Sequence, residues 1–125
     1  MKKFLFSTPP DSDVKTSSKY NGGSCMENEN GIAIASGNYG MAVANGKRVI
    51  AIATGLHGAA TALTKDSFAL AWGIDSKVKG VIGSHIAAML TDEDGIHIIL
   101  KKVDDEEIKA DTWYAIKNGE LVIAE

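Results

Sequence analysis

An all-β chain folded as a short β-solenoid (β-roll), with about 18 residues per coil and a C-terminal β-hairpin or meander as its cap, is what these 125 residues predict. Three observations predict it. Gly37, Gly55 and Gly73 are spaced 18 apart, and the hexapeptides ending on them align without gaps: Ile32 to Gly37, Ile50 to Gly55, Phe68 to Gly73. Self-similarity at a short fixed period signals units that bury their apolar face only by stacking on neighbours. Within each unit Ile-Ala-Ile-Ala alternates with period two and is closed by Gly within about six residues, too short for a helix. The C-terminal part then breaks into short β-type runs separated by charged or Asn-Gly turns.

The chain is expected to be a single domain in three stretches. Residues 1–31 read as an irregular or capping segment, with turn signals at Pro9-Pro10-Asp11-Ser12-Asp13, Ser17-Ser18 and Asn21-Gly22-Gly23-Ser24. The opening Met1 to Phe6 mimics a signal peptide, but its apolar run ends at Ser7, short of the roughly 7–15 residues such a segment requires. Residues 32–90 carry the repeat. Each unit divides into strand, turn, strand, turn: strands near 32–36 and 41–44, then 50–54 and 59–62, then 68–72 and 77–80. A fourth copy, Ile86 to Thr91, falls in the same frame with a decayed end, making nearly four coils. Gly at the turn starts is expected to supply positive φ. Residues 91–125 form the cap: a strand at 96–103, a charged turn at 104–107, and the runs 113–116 and 121–124 flanking Lys117-Asn118-Gly119-Glu120. Asn-Gly is the strongest short hairpin signal, and an open solenoid end needs such cover.

Side-chain size suggests which face is inside. The first strand offers one pair of bulky columns, Ile32/Ile50/Phe68/Ile86 and Ile34/Ile52/Leu70, and one pair of alanine columns. In the second strand, Ala42/Ala60/Val78 and Ala44/Ala62/Gly80 stay small, while Met41 and Val43 give way to Lys77 and Lys79, which must face water. Bulky residues from one wall against small ones from the other fill a narrow interior at normal density, so the Ile/Phe/Leu columns are expected inside. Ala33, Ala35, Ala51, Ala53, Ala69, Ala71 and Ala87 would then form a flat apolar plane outside. A bare plane of that kind is unusual on a monomer, and these seven residues are the expected oligomer interface, covered by another copy of the chain.

Composition narrows the partners. One cysteine, Cys25, excludes an internal disulfide and suits the cytoplasm. No run approaches the ~18 apolar residues of a membrane span. Residues 32–90 carry five basic and two acidic side chains, and residues 91–125 four basic and ten acidic. The acidic stretch could meet the basic coils of a neighbour, or simply be solvated turns. The positive charges are few and not interleaved with aromatics, which disfavours nucleic acid.

No constellation for catalysis emerges. His57, His85 and His97 stand in unrelated positions, at neither matched short spacing nor one column. Thr91-Asp92-Glu93-Asp94-Gly95 resembles a fragment of a calcium loop lacking the remaining ligands. Gly80-Val81-Ile82-Gly83-Ser84 introduces no helix and so no phosphate cradle. A carbohydrate-active enzyme would need clustered carboxylates on a strand face, whereas the repeat supplies only Asp66 and Asp75 in turns. Ice binding would call for outward Thr ranks, where the column reads Ser36, Thr54, Trp72. A non-enzymatic chain without cofactor or metal is expected.

The stretch Ser67-Phe68-Ala69-Leu70-Ala71-Trp72-Gly73-Ile74-Asp75-Ser76-Lys77-Val78-Lys79-Gly80 resembles the head repeats of trimeric autotransporter adhesins of the YadA type, though with 18-residue rather than shorter units. Residues 31–125 resemble more closely a group of uncharacterised bacterial, prophage and phage proteins that join Ala/Gly/Ser-rich repeats to an ending like Ile108-Lys109-Ala110-Asp111-Thr112-Trp113-Tyr114 and a short hairpin. The adhesin resemblance implies a left-handed β-roll packed as a trimer. The expectation is a bacterial or phage accessory protein that self-associates, as a trimer by preference, and works by binding a protein or glycan target. The alternative is a structural piece of a phage or cell-surface assembly, an adhesin-like head or rigid spacer. The expected location is the cytoplasm, or a virion in that alternative.

Overall fold

The structure, a computed structural model, describes residues 14–124. The Met1 to Phe6 start and the Pro9-Pro10 turn expected from the sequence lie outside the described residues. All regular structure among the described residues is β, in twelve strands. The chain winds as a solenoid of about four coils, each contributing one strand to each of two six-stranded sheets. Sheet A runs β1 (Val14–Ser17), β3 (Ile32–Ala35), β5 (Ile50–Ala53), β7 (Phe68–Trp72), β9 (His85–Asp92) and β10 (Gly95–Lys102). Sheet B runs β2 (Gly23–Met26), β4 (Met41–Ala44), β6 (Ala59–Ala62), β8 (Lys77–Gly80), β11 (Tyr114–Lys117) and β12 (Glu120–Ile123). Coil strands pair in parallel and in register, Ile32 on Ile50 on Phe68 and Met41 on Ala59 on Lys77.

The solenoid begins one coil earlier than the aligned repeat. Val14 pairs with Ile32 and Gly23 with Met41, so part of the stretch expected to be irregular is the first coil. Its strands lack the Ile-Ala signature, but its turns carry a finer period. Asn21, Asn30, Tyr39, Arg48 and His57 stand nine apart, Asp75 follows eighteen later, and all six have positive φ. Each is the third residue of a tight turn such as Gly37 to Gly40 or Gly55 to Gly58, whose ends are joined by a backbone hydrogen bond. The glycines opening these turns serve another purpose than the one expected. A Cβ on Gly37 would run into the Lys19 carbonyl of the coil before, and one on Gly55 into the Gly37 carbonyl. Close stacking of coils, rather than positive φ, requires glycine there.

The interior corrects the expected facing. Ala33, Ala35, Ala51, Ala53, Ala69 and Ala71 are fully buried between the sheets, opposite Ala42, Ala44, Ala60 and Ala62. Ile32, Ile34, Ile50, Ile52, Phe68 and Leu70 point outward. The reason is width. Short turns at both corners bring strands of opposite sheets, β2 with β5 and β4 with β7, within 8 Å between Cα atoms. Ordinary stacked sheets are about 10 Å apart. At the smaller separation opposed methyl groups fill the gap through the second and third coils, and the larger inward side chains, Met26, Val78 and Ile86, lie in the coils toward the two ends of the stack.

The strand after the fourth coil departs by one residue. Phe68 pairs with His85, 17 residues on, so Ile86 joins the alanine column beside Ala69 instead of the Phe68 column expected for it. Ile86 is fully buried and finds room because Gly80 stands opposite; a Cβ there would lie 3.2 Å from the Ile86 Cγ2. The slip also turns Ala87 to the outer side, in line with Leu70 and Leu100, which leave it 2% exposed. Beyond β9 the chain caps its own stack. Hairpin β9–β10 extends sheet A, while hairpin β11–β12 extends sheet B, so the C-terminal strands form two hairpins on different sheets rather than one meander. Asn118 and Gly119 both take positive φ, as a two-residue hairpin turn of the I′ type requires. Val103, Ile108 and Tyr114 close over the last coil, and the Tyr114 hydroxyl accepts the Lys109 amide at 2.8 Å.

Ala53→Leu tests the narrow interior. It is expected to cost roughly 1–3 kcal/mol through overpacking, read as a lower urea midpoint with an unchanged slope.

Candidate functional site

Strict alternation on sheet A sends one apolar set to the outside of every strand. The Ile34/Ile52/Leu70 column continues onto β9 and β10 as Ala87 and Leu100, Met89 and Ile98 follow Trp72 beside it, and the Ile32/Ile50/Phe68 column ends at His85 and Lys102. Val14 extends the plane onto the first coil and Ile96 onto the tip of the last hairpin. Ile96, Ile98 and Leu100 are each more than half exposed. Between Ile32 and Leu100 this plane holds no charged side chain, and the paired His85 and Lys102 mark one corner. A continuous apolar face across six strands exceeds the scattered exposed hydrophobics normal on a soluble monomer.

The outer side of sheet B differs. Its columns run Gly23, Met41, Ala59, Lys77 and Cys25, Val43, Thr61, Lys79. The two ammonium groups each lie 4.6 Å from the centroid of the Trp113 ring, which the cap lays across them. Charge and the cap therefore close this side, and sheet A alone presents an unbroken face.

Each end of the sheet A face holds a cavity. At the ends where β5 and β7 finish, Thr54, Trp72, Gly73, Ile74, Met89, Leu90 and Thr91 border an open depression of about 420 Å³. The Trp72 indole Nε1 donates to Thr91 Oγ1 at 3.3 Å, which fixes the ring across the sheet's margin. Where β7 begins, Lys65, Asp66, Ser67, Phe68, His85 and Leu100 line about 520 Å³.

The residues examined for chemistry lie apart. His57 stacks on Tyr39 at 4.8 Å between centroids, and Tyr39 meets Tyr20 edge-on at 5.5 Å, an aromatic column along one corner. His85 sits at the margin of the apolar face. The His97 Nε2 lies 3.1 Å from Asp92 Oδ1, whose carboxyl is held below the ordinary aspartate range by the Asp94 amide first and by His97 second. Cys25 is exposed on the outer side of sheet B. Asp66 and Asp75 occupy turns on opposite sides of β7. Among the described residues no group of three or more His, Cys, Asp and Glu side chains could hold a metal ion, and no helix is long and apolar enough to cross a membrane.

Of the seven alanines expected at an interface, six line the interior and Ala87 lies shielded on the outer side, so none offers a surface to a partner. The exposed apolar plane is real but belongs to their bulky neighbours. Sequence reasoning missed Phe68, Ile50 and Ile52 as surface residues and gave Trp72 no role beyond breaking a Thr rank. No family model, no curated protein and no solved structure matches the chain.

The cap supplies a pH-dependent feature. Asp104 Oδ1 accepts the amides of Glu106, Glu107 and Ile108 at 2.9, 3.0 and 3.1 Å, and its carboxyl is held below the ordinary range, the Glu106 amide contributing most. A carboxylate with a depressed folded pKa stabilises fully above its unfolded value and loses that contribution as pH falls through the folded one. The Asp104 carboxyl carbon is expected to titrate by NMR below the ordinary aspartate range. Asp104→Ala is expected to loosen the cap at neutral pH, read as faster hydrogen exchange at Glu106 to Ile108, and to remove this part of the acid sensitivity.

Proposed function

We propose that this chain is a non-enzymatic interaction protein that self-associates through the outer face of sheet A, as a trimer with its threefold axis along the solenoid. The observation carrying this reading is the unbroken apolar plane from Ile32 to Leu100, set against a charged and capped opposite side. Water contact over such a plane opposes solubility as a monomer, and closed homo-oligomers are the commonest way to cover one.

Width argues for three copies. Facing sheets pack about 10 Å apart, so each lies about 5 Å from the shared centre. Three flat plates around a centre at that distance form a triangular prism with sides of about 17 Å. Strands β3 and β5 have four residues, β7 five, and β9 and β10 eight, spans of roughly 13 to 27 Å that bracket that side. The Ile, Leu and Phe side chains then meet along the axis as a second core, larger in its residues than the alanine interior of each copy. A prism of this kind would present its corners and sheet B sides to a protein or glycan target, the binding role expected from the resemblance to bacterial and phage repeat proteins. The same rigid prism suits the alternative role, a spacer in a phage or cell-surface assembly.

The purified chain is expected to sediment at three times the 13.2 kDa of one protomer. Ile52→Glu, in the middle of the face, is expected to yield a folded monomer with unchanged β circular dichroism. A wild-type chain that stays monomeric at tens of micromolar overturns the reading.

A further inference from the structure

A trimer about the solenoid axis needs a contact at each vertex, and the structure supplies two unlike surfaces at the two ends of one strand. Resting on the self-association above, we propose that Trp72 of one copy seats in the cavity beside Phe68 of the next, so that each vertex is built head to tail from two protomers.

Trp72 ends β7 and points outward, 41% exposed, its ring tethered by the Thr91 hydroxyl. A tryptophan left this open within its own chain, yet held in one orientation, is poised for a neighbour. Its counterparts in the coils before are Ser36 and Thr54, so at this column position the ring enters with the fourth coil. At the opposite end of the same strand, the cavity of about 520 Å³ is walled by Phe68 and Leu100 and edged by Lys65 and His85. Phe68 and Leu100 offer an apolar floor, and Lys65 offers an ammonium within the reach of cation–π attraction to an inserted indole.

Height is the second argument. Trp72 leans from β7 toward Thr91 on β9, and the cavity runs from Phe68 on β7 past His85 on β9 to Leu100 on β10, so the two surfaces overlap in level along the solenoid. Rotation about an axis parallel to the stack carries the end of one β7 to the start of the next without any shift along the axis. Tryptophan seated in a well-packed pocket is enriched among interface hot spots. The rings of Trp72 repeated at three vertices would also fix the rotational register of a face that is otherwise aliphatic and uniform.

The test pairs crosslinking with fluorescence. In a Cys25→Ser background, the double variant Trp72→Cys and Lys65→Cys is oxidised and run under denaturing conditions; a covalent trimer is expected. With Trp113→Phe, Trp72 remains the sole tryptophan, and its emission is expected to shift to the red on dilution through dissociation. Trp72→Ala, in an exposed position that leaves folding intact, is expected to weaken assembly by at least roughly tenfold, as truncating a hot-spot aromatic does. A native trimer in which Trp72 stays open to acrylamide, the cysteine pair fails to link, and Trp72→Ala assembles normally overturns the seat while leaving self-association standing. A covalent dimer as the end product replaces the threefold axis with a twofold one and overturns the head-to-tail closure. A wild-type chain that is monomeric throughout overturns both.

Discussion

The separation of the two sheets governs everything else in this molecule. Each half coil is nine residues, four in strand and five in a turn whose left-handed residue reverses the chain abruptly. Turns this short hold opposite strands within 8 Å, a gap that admits opposed methyl groups and takes isoleucine only where glycine faces it, as Gly80 faces Ile86. Glycine opens the turns at Gly37, Gly46, Gly55 and Gly73 because successive coils touch there carbonyl to Cα, and Gly or Ser closes most turns because the fourth turn residue packs against the alanine columns. In Ser67, Ser76 and Ser84 the hydroxyl bonds back to the first carbonyl of its own turn, so a buried polar atom is paired where it stands.

An interior lined with alanine stabilises each coil through close contact and backbone pairing more than through transfer of large apolar surface. The bulky aliphatics are consequently displaced to the exterior of sheet A, where they are available to associate. A thin core and a sticky face are thus two results of one turn length. On sheet B the same alternation produces a surface that the chain manages itself, by lysines on the fourth coil and by laying Trp113 across them.

Much of the architecture was legible in the sequence. The 18-residue spacing of Gly37, Gly55 and Gly73 located three coils and their register, and Asn118-Gly119 located the last hairpin. Facing was misread because side-chain volume was weighed without the width of the gap. A sufficient signal was present: Met41-Ala42-Val43-Ala44 repeats Ile32-Ala33-Ile34-Ala35 at nine residues. If Lys77 and Lys79 place Met41 and Val43 outside, then by that half-coil symmetry Ile32 and Ile34 lie outside as well. The first coil escaped notice because its strands, Val14 to Ser17 and Gly23 to Met26, hold only polar or unlike residues, and only Asn21-Gly22 and Asn30-Gly31 keep the nine-residue beat. Trp72 as a contact could not be read from the chain, since its importance lies in what stands at the far end of its own strand.

The one-residue slip between Phe68 and His85 has a bearing on how such molecules change length. Upstream of it, the second and third coils are interchangeable, because each meets its neighbours through the same backbone ladder and the same methyl layer. Downstream, inside and outside have traded phase, and Ile86 with Gly80 makes a junction that only the terminal hairpins fit. Duplication of a whole coil ahead of the slip would lengthen the rod by about 4.8 Å and leave its ending intact, whereas duplication across it would put isoleucine where only alanine fits. The slip acts as a stop on a ruler, and the segment before it is where evolution or an engineer can add or remove graduations.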